Sequence, residues 1–451
     1  MSPPPQASAA TKGSASASPA LRSFESQWFA RGADPLSALR ERAMERFLHL
    51  GLPTPHDESW RYTNLRKLSA QSYVDAPRAP SGTLQPTAQL TLLGEDERAA
   101  TVLMVNGYPV LPQRMDFSIN GIEINSLQEI ARTDKNLISR LLEPLSEDDI
   151  GRWRLLNTAL FVDGLYLKVS TRVETPLVIL HVATADLPGT AAHPRVIIDA
   201  APGASATIIE HHVQQGGDTP LCNSASLITL ARDAAIEHYR VFATDHRTTH
   251  LDSLQVRQRQ GSRCRQFTIA LGGSLTRCSL EAELTEPGAE LDSYSLLVGH
   301  EERHVDCVAV VKHAAKHTTS RQTARAIASG NSRVIINSKV VVDAGSANAD
   351  SQQSCRGLLL SPTAEIDSRP QLEIHTDEVK CAHGATTGRL DPNMLFYMLS
   401  RGLDRDTAQS LLIYAFLADV LTGMSVQSAR NAIENALIPQ LPDSQVLRKF
   451  R

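Results

Sequence analysis

Pro202-Gly203-Ala204-Ser205-Ala206-Thr207-Ile208-Ile209 joins a corner of small residues directly to a β-rich run. The same kind of corner returns at Ala231-Arg232-Asp233-Ala234, Gly261-Ser262-Arg263-Cys264, Gly272-Gly273-Ser274-Leu275, Pro287-Gly288-Ala289-Glu290 and Ser361-Pro362-Thr363-Ala364, each time ahead of an alternating strand. The corners stand near 12 to 15 or near 28 to 30 residues apart. Short strands at such a spacing are the pattern of a β-solenoid, in which each coil buries its inner face on the coils above and below. A two-sheet sandwich is the competing arrangement, but the strand texture runs from Asn157 to about Ile374, which is long for one sandwich. The solenoid is the preferred reading. Its open ends need caps.

Helical patterns lie on both sides of this region. Upstream, Leu36, Leu39, Ala43, Phe47 and Leu50 recur at three- and four-residue steps, with Asp34 as N-cap and Gly51-Leu52-Pro53 as the stop. Trp60 and Tyr62 follow, read as anchors onto a neighbouring domain in preference to a ligand platform. Thr101 to Tyr108 is a buried strand ending in an Asn-Gly turn, and a helical piece is expected near 126 to 143. Downstream, Asn393 to Ser400 reads as a short helix stopped at Gly402. Asp404 caps a second helix whose apolar stripe is Ala408, Leu411, Leu412, Ala415 and Phe416, and a third runs from Ser425 to Leu437. The expected division is a disordered arm over 1–20, an N-terminal helical domain and linker over 21–95, a β-helix core over 96–376 and a C-terminal helical domain over 377–451. The fold class is therefore mainly β with helical ends.

Composition narrows the function classes. A formal net charge of −4 over 451 residues gives no basic field for nucleic acid. Six cysteines without a CxxC pair fit a reducing compartment, so a soluble cytoplasmic protein is expected. The longest strongly apolar run, Leu411 to Leu421, is interrupted by Asp419 and falls short of the roughly 20 residues of a membrane span. P-loop, dinucleotide-fold glycine, nucleophile-elbow and zinc-protease fingerprints are all missing, which tilts the reading away from a self-sufficient enzyme.

Among candidate chemical residues, His300/His304 and His313/His317 have helical ligand spacing but stand in β-rich surroundings. His211-His212 is expected to put one ring inside and one in solvent. Asp343, Asp350, Glu365 and Asp367 are available carboxylates for a carbohydrate-cleaving solenoid, but solvated surface acids are the ordinary case. Lys380-Cys381-Ala382-His383-Gly384 is different. In extended chain, residues two apart share a face, so Cys381 and His383 set a thiol beside an imidazole, two ligand types suited to a soft metal or an iron–sulfur fragment. A buried thiol and a hydrogen-bonded imidazole at a domain corner is the structural alternative.

The stretch from Ser361 to Leu421, with Ala364-Glu365-Ile366, Pro370-Gln371-Leu372-Glu373-Ile374, Lys380 to Thr386, and Leu395-Phe396-Tyr397 through Arg401-Gly402, resembles the SufB/SufD family of the SUF iron–sulfur cluster assembly machinery, and within it the SufD branch. Trp60-Arg61-Tyr62-Thr63, Val105-Asn106-Gly107-Tyr108, Asn157-Thr158-Ala159 with Asp163-Gly164, and His313 through Gln322 extend the likeness over all but the first 20 residues. The resemblance implies a right-handed parallel β-helix between two helical domains, in a complex with SufB and two copies of the ATPase SufC. It implies that the β-helix pairs edge to edge with SufB and that the C-terminal helices dock SufC, with Phe396, Tyr397, Arg401, Gly402 and Asp404 as contact candidates. It places His383, with Cys381 beside it, at a cluster-forming interface with SufB. No cofactor is then held stably by this chain alone, only a transient iron–sulfur cluster at that interface. The chain would be a non-catalytic scaffold, with ATP hydrolysis left to SufC. A SufB-like chain holding the cluster itself, a homodimer on the same sheet edge, and a carbohydrate-active solenoid remain the alternatives. Gln353-Ser354-Cys355-Arg356 and Arg325-Ala326 depart from the family pattern and leave the Cys-x-His joint intact.

Overall fold

The computed structural model describes residues 18–78, 100–111, 118–119, 121–142, 151–185, 187–216, 220–244 and 246–437. Its core is a parallel β-solenoid whose chain passes back and forth between two sheets. One sheet runs through Leu165–Val169, Arg195–Ala200, Leu221–Leu230, Thr249–Gln258, Leu275–Leu284, His304–His313, Arg333–Val342 and Glu365–Ile374. The other runs through Leu177–Ala185, Ser205–Gly216, Ala235–Phe242, Arg263–Ala270, Glu290–Gly299, Thr319–Ala328, Ala349–Leu359 and Val379–Gly388. Each of these strands pairs with the next but one in sequence, in parallel, where hairpins of a sandwich would pair with the next and antiparallel. That pairing rules out the sandwich.

The corners explain the repeat seen in the sequence. Gly203, Asp233, Gly261, Gly288, His317 and Asn348 all take positive φ, between 56° and 75°. They form a ladder along one side of the stack: the N–H of Gly203 donates to Arg232 O, Asp233 to Gln260 O, Gly261 to Pro287 O, Gly288 to His317 O, His317 to Ala347 O and Asn348 to Glu378 O. A left-handed residue once per coil lets the chain turn sharply while its amide bonds to the next coil, and Gly, Asn and Asp tolerate it best.

Inside, the coils divide lengthwise. Ala206, Ile208, Ile228, Leu230, Ile236, Leu254, Val256, Leu280 and Leu284 fill one half with apolar packing. Glu210, His212, Ser226, His238, Arg240 and Asp252 fill the other with buried polar groups. Buried charges of this kind persist only when paired, and here Glu210 accepts from His181, His238 and Ser226, while Arg240 donates to Asp252.

Outside, helices cover both sheets. Pro19–Phe29, Ser37–Leu50 and Arg152–Leu160 lay Phe24, Met44, Phe47, Trp153 and Leu156 on Leu221 and Leu251. Trp60 is buried in the same cluster with the Arg277 guanidinium 3.7 Å above its ring, so it is an anchor, as expected; Tyr62 lies beneath Arg333. Leu127–Thr133 and Lys135–Leu141 form the helical piece expected near 126–143. On the other sheet, Arg405–Leu421 and Gln427–Leu437 bury Ile413, Leu417, Val420 and Ile433 against Tyr239, Phe267, Ile269 and Ile327. Among the described residues no helix is long and apolar enough to cross a membrane.

Several expectations need correction. Val379–Gly388 is the last strand of the solenoid, so the core extends beyond 376. Asn157 lies in the helix Arg152–Leu160, and the regular strands begin at Leu165. The first helix starts at Pro19 with Ser18 as its cap, inside the expected arm; residues 1–17 lie outside the described residues. Leu36 holds the cap position given to Asp34, whose carboxylate instead accepts from the Leu36 N–H and from Arg40. Val74–Asp75 pairs with Thr190–Ala191 where a linker was read, and most of that linker is outside the described residues. In the helix Arg405–Leu421 the expected stripe is met at Ala408, which is buried, and at Leu411 and Phe416, which pack on the cluster; Ala415 is exposed, and the deepest residues, Ile413, Leu417 and Val420, were not in the stripe.

The two ends of the stack differ. At the N-terminal end antiparallel strands close both sheets: Tyr108–Val110 beside Ala100–Val105, and Ser118–Ile119 beside Ile122–Ser126. The Asn106-Gly107 turn, both residues at positive φ, makes the first of these hairpins. At the C-terminal end Glu365–Ile374 and Val379–Gly388 are terminal strands, each with a neighbour on one side only among the described residues. Pro370 sits within Glu365–Ile374, a place open to proline because an edge strand has amides with no ladder partner.

Candidate functional site

Because the strands stack in register, every inward side chain of the last coil has a counterpart beneath it. His383 pairs with Gln353, which pairs with Gln322, then Ser293, Gln266 and His238. Cys381 stands over Ser351, Ser320, Leu291 and Cys264. These are inward positions: Gln353, Gln322, Gln266, Ser351 and Ser320 are all buried. Cys381 and His383 therefore share the inward face of the final coil, as their spacing requires, and among the described residues no further coil covers it. His383 is exposed and Cys381 half-buried.

Hydrogen-bonded columns support both residues from below. Under Cys381, His313 holds Thr318 Oγ1 through Nδ1 (2.7 Å) and Ser320 Oγ through Nε2 (2.8 Å), and Ser320 Oγ lies 2.8 Å from Ser351 Oγ. Under His383, Gln353 Nε2 donates to Ser338 Oγ (2.7 Å), which donates to Gln322 Oε1 (2.8 Å). These bonds fix the platform. Partial burial pushes the Cys381 thiol up, opposed by a hydrogen bond at the Ser351 backbone.

A thiol and an imidazole on one face give two ligands, whereas an iron–sulfur cluster asks for about four. Among the described residues, the groups of three or more side chains spaced to hold a metal lie inside the solenoid, and neither includes Cys381 or His383. Cys355, the nearest other inward cysteine, is buried beneath Ala385. The face offers two ligand-type side chains at a sheet edge that has no further strand among the described residues.

The candidates of the helical tail separate into two kinds. In the helix Pro392–Ser400, Leu395 is buried, while Phe396 (72 % exposed), Tyr397 (58 %) and Met394 (56 %) face solvent. Arg401 lies over the Tyr397 ring and donates to its hydroxyl, 2.9 Å away. Gly402 and Asp404 have structural tasks. Gly402, at φ 87°, stops the first helix; Asp404 caps the next, accepting from the Thr407 N–H and hydroxyl, which hold its carboxyl below the usual range.

The remaining sequence candidates do not assemble. His300 bonds Ser329 and His304 bonds Thr63; His313 is buried, while His317 is a left-handed corner. His211 and His212 are both buried, contrary to the half-solvated expectation. Asp343 pairs with Lys312, Asp350 with Arg321, and Glu365 and Asp367 share Arg333, so each carboxylate already has a cationic partner. The interior cluster around Glu210, His212, Cys222 and His250 was missed. Its signal was present as polar residues recurring at every second position of the buried strands.

Comparison with known proteins bears on this geometry. Residues 181–416 match the family model described as SUF system FeS cluster assembly, SufBD core domain, and residues 22–179 match the SufBD protein N-terminal region. The chain belongs to the SufBD family. The iron–sulfur cluster assembly protein SufD of Escherichia coli is 26 % identical over 411 residues, covering 89 % of this chain and 92 % of that protein. SufD of Bacillus subtilis is 24 % identical over 415 residues (89 % and 93 %), and a SufBD family protein of Synechocystis is 25 % identical over 412 (88 % and 89 %). Within the family the chain is of the SufD type.

Proposed function

We propose that this chain is the SufD-type scaffold of a SUF assembly complex, and that its open last coil is the half-site at which an iron–sulfur cluster is built against SufB. The observation that carries the reading is the pair of ligand-type side chains, Cys381 and His383, on the inward face of a coil whose two strands each have one free edge among the described residues. Free strand edges are places where another chain adds on. A SufB strand placed there would continue the stack and bring its own ligands over His383. The cluster is cargo, held between two chains and released, which suits an incomplete ligand set on each. The chain itself has no catalytic role in this reading. The exposed Phe396 and Tyr397 at the start of the helical tail offer the aromatic anchors of a second interface, assigned to the ATPase SufC, which supplies hydrolysis. The setting is the cytoplasm.

The test is co-expression of the chain with SufB and SufC, as wild type and as His383→Ala, followed by purification of the complex under anaerobic conditions. The expected outcome is an intact complex whose iron and sulfide content and visible absorption fall to a small fraction of wild type. Undiminished cluster in the variant would return His383 to a structural role. Failure of the wild type to associate would remove the scaffold reading.

A further inference from the structure

We propose that the interior of the early coils contains a buried transition-metal site of the zinc class, built by Cys222 Sγ, His250 Nδ1 and a ring nitrogen of His212. The site is separate from the open coil and does not depend on the function assigned there.

Cys222 and His250 are paired residues on neighbouring strands of one sheet, and His212 faces them from the other. One ligand atom from each lies within 4.8 Å of the other two. Zinc with bonds of about 2.3 Å to sulfur and 2.0–2.1 Å to nitrogen sets tetrahedral ligand pairs roughly 3.3–3.8 Å apart, so the three atoms need draw in by about an ångström. A cavity of about 10 Å³ lies among them, lined by His181, His212, Cys222, His250 and Thr244. That is room for one water-sized body.

His212 is the observation that demands an occupant. Its side chain is 1 % exposed and neither ring nitrogen has a hydrogen-bond partner. A neutral imidazole carries one N–H and one lone pair, and leaving either unpaired in a dry interior costs about 1–3 kcal/mol. The ring cannot turn away to find a partner. The His181 ring stacks on it at 4.2 Å between centroids and the Phe242 ring at 4.9 Å, both near parallel.

His250 is already in the ligating tautomer. Its Nε2 lies 3.3 Å from Ser224 Oγ, and Ser224 Oγ donates its single hydrogen to Asp252 Oδ1 at 2.5 Å. Ser224 must then accept from His250, which puts the proton on Nε2 and the lone pair on Nδ1, and Nδ1 has no partner. Asp252 is anchored in turn by Arg240. An imidazole whose remote nitrogen is tied through a hydroxyl to a carboxylate is the arrangement that orients metal-ligating histidines. A second triad, His181, Glu210 and His212, overlaps the first, but the Glu210 oxygens are already taken by His181, His238 and Ser226. The Cys222 triad is the one with free donor atoms. One thiolate and two imidazoles suit zinc or a similar borderline ion; on binding, the Cys222 S–H bond breaks, the metal–sulfur bond forms and the proton leaves to solvent.

The full-length chain, purified after growth with added zinc, is expected to retain zinc stoichiometrically through gel filtration, as are Cys381→Ala and His383→Ala. Cys222→Ala is expected to lose it. Refolding wild type with Co²⁺ as the probe should give a thiolate-to-cobalt charge-transfer band that persists in Cys381→Ala and vanishes in Cys222→Ala. X-ray absorption of the wild-type zinc protein, which needs no variant to fold, should show a first shell of one sulfur with nitrogen or oxygen. Wild type without stoichiometric metal, a cobalt band indifferent to Cys222→Ala, or a zinc shell lacking sulfur would each overturn the site.

Discussion

His238 and His383 stand in one inward column of the same sheet, linked by register through Gln266, Ser293, Gln322 and Gln353, and they live in opposite environments. His238 is fully buried, with Nε2 2.9 Å from Glu210 Oε1. His383 is exposed, with no strand stacked above it among the described residues. Residue type and strand position are the same; the presence of a further coil is the difference. A covered polar group must find its partner within the protein, and an uncovered one keeps its valence for something that arrives. On the proposed reading, external chemistry belongs to the last coil.

The contrast breaks most visibly at Glu210, whose carboxylate is held well below its ordinary range by His181 and His238 in spite of the burial that opposes it. Glu210→Ala removes the acceptor shared by His181, His238 and Ser226 and leaves them unpaired in the interior. The expected loss is about 3–5 kcal/mol in urea-unfolding free energy. A loss under about 1 kcal/mol would mean that the interior is wet, and the distinction between covered and open coils would lose its basis.

A smaller effect comes from pH. Burial lowers the His313 pKa to about 4, from the usual value near 6.5. Between these values the unfolded chain binds more protons than the folded one, so stability rises with pH: the full contribution is present above pH 6.5 and drains away as pH falls towards 4. By pH 5 this group should have cost about 2 kcal/mol relative to pH 7. His313→Gln should flatten the fall in urea-unfolding free energy between pH 7 and 5 by that amount, and an unchanged slope would show that other groups carry it.

These effects mark where the sequence could be read and where it could not. The coil repeat was visible because corners at positive φ favour glycine, as at Gly203, Gly261 and Gly288. His317 and Asn348 hold the same corner without glycine, and those two corners were not read. Val379–Gly388 was left out of the core because its inward row, with Ala385 and Thr387 beside Cys381 and His383, lacks the apolar residues that a covered coil demands. The interior cluster failed for the opposite reason. Alternating polar residues usually mark a solvated face, but the helices cover the outward side of these strands and the neighbouring coils cover the inward side. Polar residues such as Glu210, His212 and Asp252 are therefore inside. The shared face of Cys381 and His383 followed from a period of two; that this face is open depends on where the stack ends, which no local spacing encodes.

The finest test of the column compares adjacent coils. Gln353 is 4 % exposed and donates to Ser338, whereas His383, directly above it, is exposed. Gln353→Ala removes a buried hydrogen bond and opens a cavity beneath the last coil, for an expected loss of about 1–2 kcal/mol. His383→Ala should change the unfolding free energy of the isolated chain by less than about 0.5 kcal/mol, because an exposed side chain has no packing to lose. On the proposed function the ranking should reverse when the readout is cluster content of the co-purified complex, where His383→Ala would remove a ligand and Gln353→Ala only loosen the platform. If His383→Ala instead destabilised the isolated chain as much as Gln353→Ala, the last coil would already be closed, and the chain would have no open face to offer.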